Sequence, residues 1–135
     1  MKVKLTDIIE AIEFTNDDFE YFLDQKTGEV VMISDVTMED EEIKEASEAL
    51  EEHGFYRLPT QWELRDYDTM EAFVDALSGP AQERLATAIS GRGAFRRFKD
   101  EVRRLGLEEQ WYAWHDDAYR RKAIEWCEEN GIEYE

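Results

Sequence analysis

The sequence predicts an α+β fold: a small antiparallel β-sheet, built from a hairpin and a third candidate strand, with a predominantly helical C-terminal half, in a single domain over residues 1–135. Three observations carry this reading. Apolar and polar side chains alternate on one side of a lone glycine in FEYFLDQKTGEVVMIS, and an apolar run follows it. Apolar residues recur at three- and four-residue spacing through most of the rest of the chain. Finally, EHGF, RLGL and ENGI each set a glycine after a helical run and an apolar residue after the glycine, the signature of a Schellman-type stop at Gly54, Gly106 and Gly131.

The elements follow in order. A first helix is expected from Leu5 to Phe14, capped by Thr6 or Asp7, with Ile8, Ile9 and Ile12 inward. Phe19, Tyr21 and Leu23 then alternate with Glu20 and Asp24. Gly28 sits where a short hairpin loop needs a positive φ, and Val30–Ile33 is the return strand. In TMEDEEIKEASEALEEHGF, Thr37 and Asp40 form a variant capping box, acids crowd the first turn, and Ile43, Ala46, Leu50 and His53 mark the inward face. FYRLP is the third strand candidate, which Pro59 places at an edge or ends.

Thr69 to Ser78 is the next predicted helix, with Met70, Phe73, Val74 and Leu77 inward. Pro80 opens another that buries Leu85, Ala86 and Ile89. A helix from Ala94 to Leu105 follows the GRG interruption. Read as one helix, the remainder scatters Trp114 and Ile124 off the apolar face, so a break near HDD is expected. It divides a short helix at 108–114 from a longer one at about 117–130, capped by Asp116 or Asp117.

Composition bounds the function. With 34 acidic and 16 basic residues the formal net charge is −18, yet 42% of the chain is apolar and 13% aromatic, which excludes a disordered chain. Residues 1–80 hold 22 acids and 6 bases, a half that repels nucleic acid and anionic membrane, whereas residues 81–135 hold 12 acids and 10 bases. No apolar run approaches the roughly 20 residues that cross a bilayer. Asp7, Glu10 and Glu13 are foreign to a signal peptide, so a cytoplasmic protein is expected. Cys127 is the only cysteine, and His53 and His115 are the only histidines, which leaves no disulfide and no zinc set; no cofactor is called for.

The candidate site is the segment SGRGAFRRFKDEVRRLGL, where six Arg and Lys fall between Arg92 and Arg104 with only Asp100 and Glu101 against them. On a helix, Phe95, Phe98, Val102 and Leu105 form one stripe, and Arg96, Lys99 and Arg103 lie within about 60° of one another beside it. Arg96–Asp100 and Arg97–Glu101 are expected to pair at i, i+4. Gly91 and Gly93 let the backbone approach a ligand, and with Arg92 and Arg96 they make a candidate anion site at the helix start. GRG lacks the features of a P-loop or a dinucleotide fingerprint. Trp111 or Trp114 beside the ridge would supply an aromatic hot spot. The bland alternative is an internal clamp, with the ridge paired to acids of the first half.

GRGAFRRFKD, LGLEEQWYAW and AIEWCEENGI together resemble a family of small bacterial proteins catalogued as uncharacterised protein family 0158, over most of the chain. The resemblance implies a bacterial cytosolic protein with the Gly-Arg-Gly-Ala-Phe segment as its hallmark, and no assigned activity. It also implies an aromatic–Arg–Asp triplet where this chain has Trp114-His115-Asp116, a departure that argues against an essential catalytic His115.

No nucleophile elbow surrounds any serine, and Cys127, after Trp126 on an amphipathic helix, reads as a small apolar group. No catalytic residue or metal ligand is assigned. The leading expectation is a non-enzymatic binding or adaptor module that holds an acidic protein or a phosphate-bearing ligand on Arg92, Arg96, Lys99 and Arg103. An enzyme acting on a small anionic substrate is the alternative, with Arg92 and Arg96 as anchors and His115 or Asp116 as acid–base. A weak nucleic-acid contact is third.

Overall fold

The structure, a computed structural model, describes residues 2–135. In chain order its elements are β1 (Lys2–Val3), α1 (Leu5–Phe14), β2 (Glu20–Asp24), β3 (Val30–Ile33), α2 (Asp40–His53), β4 (Phe55–Arg57), α3 (Gln61–Leu64), α4 (Asp66–Ala76), α5 (Gly79–Ala88), α6 (Ala94–Arg104), α7 (Glu108–Glu129) and β5 (Glu133–Tyr134). The fold is α+β: an antiparallel sheet in the order β3-β2-β4, a parallel β1–β5 pair, and helices. The chain divides into two compact units, one holding the residues up to Leu64 together with Tyr119–Glu135, the other Arg65–Ala118.

The first unit carries the sheet. Tyr21 faces Met32 and Leu23 faces Val30 across the hairpin, while Leu23 faces Tyr56 on the other side, so FYRLP is the third strand. The hairpin loop turns at Gly28, whose φ of 76° lies in the left-handed region. Ile8 and Ile12 of α1 pack with Leu23, Leu58, Ala123 and Cys127 into the core. Cys127 is fully buried, and burial pushes its thiol up, with Glu128 adding to the effect. It packs as the small apolar group the sequence suggested.

Two caps differ from expectation. Lys4, not Thr6 or Asp7, precedes α1, with no side-chain cap. The capping box of α2 sits at Glu39 and Glu42 rather than Thr37 and Asp40, because the helix begins at Asp40. Gly106 and Gly131 make the expected Schellman bonds, Leu107 N–H donating to Val102 O at 2.9 Å and Ile132 N–H to Cys127 O at 2.8 Å. Gly54 does not. Its φ and ψ of 81° and 147° carry the chain straight into β4, while its carbonyl accepts from Gln25 N–H.

Beside this turn His53 and Asp24 are hydrogen-bonded. Asp24, buried, accepts from the N–H groups of Lys26 at 2.8 Å and Thr27 at 3.1 Å, and its Oδ2 is 2.8 Å from His53 Nδ1. A carboxylate only accepts, so that ring nitrogen bears the proton. Burial alone would raise the Asp24 carboxyl; His53 and the two backbone donors outweigh it and hold the group below the ordinary carboxylate range.

The second unit is helical. Its core joins Met70, Phe73 and Val74 of α4, Leu85 and Ile89, Phe98 and Val102 of α6, and Trp111 of α7. Ala88 takes the buried place expected of Ala86, which is exposed. The helix predicted over Thr69–Ser78 runs Asp66–Ala76, and the break expected near HDD is absent: α7 is continuous over Glu108–Glu129. Its buried positions are Trp111, Ala118, Tyr119, Ala123, Trp126 and Cys127, which spread over about half the helix circumference at 100° per residue. Trp114 and Ile124 lie off that arc, yet each is half-buried because it packs against the core of its own unit, so the helix continues with no cap at Asp116 or Asp117. The turns of α7 up to Ala118 belong to one unit, with Trp111 in its core, and those from Tyr119 to the other, with Tyr119, Ala123, Trp126 and Cys127 in its core.

Candidate functional site

The site is built on α6, regular from Ala94 to Arg104. Three of its side chains are buried: Ala94, Phe98 and Val102. Phe98 is fixed by aromatic edges, its ring centroid 6.2 Å from Phe73 and 4.8 Å from Trp111. Phe95, expected on the inward stripe, is 49% exposed. It occupies the first turn at the margin of the stripe nearest Lys99, where a helix of period 3.6 places it about 40° from that lysine.

Arg96, Lys99 and Arg103 follow along the next edge, and all are exposed, as is Arg92 in the preceding turn. Among the described residues of this unit, none of the four is in an ion pair. The pairs expected within the helix do not form. Glu101 turns instead to Arg104 at 2.8 Å and to Arg84 of α5 at 3.9 Å.

Arg97 goes elsewhere too. Its Nε donates to Ala88 O at 3.0 Å, and its two terminal nitrogens donate to the carbonyls of Arg92 and Ser90. The last carbonyls of a helix lack intrahelical partners and carry partial negative charge, so a guanidinium there satisfies both. Tyr67 closes the same end, its hydroxyl donating to Ile89 O at 2.8 Å. Gly91 and Gly93 both have positive φ, and a Cβ on Gly93 would stand 3.0 Å from an Arg97 nitrogen. The SGRG turn thus presents carbonyls to a cation of its own helix. Sequence reasoning placed Arg97 with Glu101 because backbone acceptors carry no residue signature.

Trp111 and Trp114 are not an exposed patch. Trp111 is in the core, and Trp114 is half-buried with its indole N–H donating to Thr69 O at 3.2 Å. The exposed aromatics beside the ridge are Phe95, which the periodicity turns inward, and Tyr112, which is 57% exposed. A cleft of about 230 Å³ lies between them, floored by Met70, Phe98 and Trp111 and edged by Lys99, Asp66 and His115. The His115 ring lies 5.4 Å from that of Trp111, and its Nε2 is 3.9 Å from Asp66 Oδ1. His115 is therefore a half-buried residue in mid-helix rather than a helix-start residue.

A family model, Uncharacterised protein family (UPF0158), matches residues 1–135. The chain belongs to this family. No curated protein and no solved structure matches it. Membership covers both units and the whole of α6, so the basic edge and the cleft beside it lie inside the region that the family model spans. No helix among the described residues is long and apolar enough to cross a membrane.

Proposed function

We propose that the chain is a binding module without a reaction of its own, holding an acidic protein or a phosphate-bearing ligand on the cationic edge of α6. One observation carries the reading: Arg92, Arg96, Lys99 and Arg103 are exposed and in no ion pair among the described residues of their unit, in a chain of net charge −18. Cations set three and four residues apart on a helix repel, at a cost of about 0.2–0.5 kcal/mol per pair. A surface that served solubility alone has no use for that arrangement among 34 carboxylates. A local positive edge on an acidic body attracts an anionic partner to one place and repels it elsewhere, which gives orientation as well as on-rate. The acidic remainder and a ridge of three cations, worth a salt slope of only about −2.7, disfavour nucleic acid as that partner.

The test substitutes Arg96, Lys99 and Arg103 by Gln together. The variant is expected to melt with the native protein, yet to lose both the proteins retained from lysate and salt-sensitive binding of a labelled oligoglutamate. Unchanged partners and unchanged oligoglutamate binding would sink the reading.

A second reading, an enzyme acting on a small anionic substrate, draws on the cleft where Lys99 lies near His115 and Asp66. Turnover of an aryl phosphate that disappears in His115→Ala would favour it over the binding module.

A further inference from the structure

We infer that the cleft beside Lys99 receives one apolar side chain of an acidic peptide segment, so that the partner is read as an apolar anchor flanked by carboxylates. The inference rests on the binding-module reading and names the chemistry that the surface would select.

The size of the cleft limits its occupant. At about 230 Å³ it falls below the roughly 300–1,000 Å³ of pockets that enclose drug-sized ligands, and it suits a single side chain. Its floor is apolar and rigid: Met70 is 3% exposed, Phe98 fully buried and Trp111 8% exposed, with the two rings packed edge to face. Its rim holds Phe95 and Tyr112, two large aromatics that the fold leaves half in water. Buried apolar floors ringed by partly exposed aromatics are where interface anchors gain most of their affinity.

The charge around the cleft limits the occupant's neighbours. Lys99 and Asp66 both edge the cleft itself, so a carboxylate beside the anchor is drawn to the Lys99 side and away from Asp66. Along the axis of α6, Arg96 lies about 4.5 Å to one side of Lys99 and Arg103 about 6 Å to the other, at 1.5 Å per residue. An extended peptide advances about 3.3 Å per residue. On a peptide running along α6, carboxylates one or two positions either side of an anchor seated in the cleft come level with the two arginines. Neither arginine has an ion-pair partner in this unit among the described residues.

Fluorescence anisotropy with the full chain tests this. The probes are two labelled peptides, one with a central Leu flanked on each side by two Glu, the other with Gly in place of Leu. Full burial of a leucine side chain is worth about tenfold to a hundredfold in affinity, so the Leu peptide is expected to bind at least about tenfold more tightly. Phe95→Ala and Tyr112→Ala alter exposed side chains, which preserves folding; each is expected to narrow that difference, while Arg96→Gln with Arg103→Gln weakens both peptides alike. Equal affinity of the two peptides, both lost in the arginine variant, would overturn the anchor cleft and leave the acidic-partner reading standing. Binding of neither peptide would overturn both. Self-association that Phe95→Ala abolishes and the Leu peptide fails to compete would assign the cleft to a second copy and overturn the proposal.

Discussion

The guanidinium of Arg97 lies over the end of α5, its Nε 3.0 Å from the carbonyl oxygen of Ala88, nine residues back along the chain. With the further bonds to the Ser90 and Arg92 carbonyls, one side chain ties the C-terminus of α5, the glycine turn and the start of α6.

Removing that tie should loosen the helical unit. Arg97→Ala forfeits three charge-assisted bonds, partly exposed, and is expected to cost about 2 kcal/mol. Calorimetry should record a fall of roughly 6–10 °C in Tm. Arg97→Lys should recover only part of it, because a point charge cannot span three carbonyls as a planar fork does. Gly93→Ala is expected to cost about 1–2 kcal/mol, since its φ of 75° is unfavourable for any residue with a Cβ.

Two phenylalanines three residues apart should behave very differently. Phe98→Ala removes a fully buried ring packed on Phe73 and Trp111 and is expected to destabilise by about 3–5 kcal/mol in urea unfolding. Phe95→Ala should cost under about 1 kcal/mol, because about half its surface is in water already.

The ridge should be dispensable for folding. Replacing Arg96, Lys99 and Arg103 by Gln removes exposed side chains that make no ion pair in their unit among the described residues, and it relieves their mutual repulsion. Urea unfolding should shift by less than about 1 kcal/mol. A larger loss would mean that the ridge is an internal clamp.

Asp24 should make part of the stability of the sheet-bearing unit depend on pH. Its native carboxyl is held below the ordinary value despite burial, so its contribution is present above the unfolded pKa, about 3.9, and is lost as pH falls through the lowered native value. Asp24→Asn keeps the shape but forfeits the charge that His53 and two backbone donors address. At pH 6 it is expected to cost about 1–3 kcal/mol. The difference between the native protein and the variant should close as the pH is lowered below about 4.

Much of this molecule was legible in its residues because the signals are local. The spacing of Ile8 and Ile12 set α1 at Leu5–Phe14, the alternation around Gly28 set the hairpin, and the glycine after each run ended the helices that close at Gly106 and Gly131. Periodicity likewise put Arg96, Lys99 and Arg103 on one edge of α6, since their angular spacing follows from the helix alone. Tertiary structure decided the rest, wherever the partner is remote in sequence or is a bare backbone atom. It paired β1 with β5 across the chain, two strands too short to show any period, and it brought Asp24 against His53. It kept α7 whole, with Trp111 in the core of one unit and Tyr119, Ala123, Trp126 and Cys127 in that of the other, and it drew Arg97 to carbonyls instead of to Glu101. Trp111 went inward and Phe95 and Tyr112 stayed out, because burial depends on which helix faces meet, a quantity that pattern along one strand of sequence does not contain.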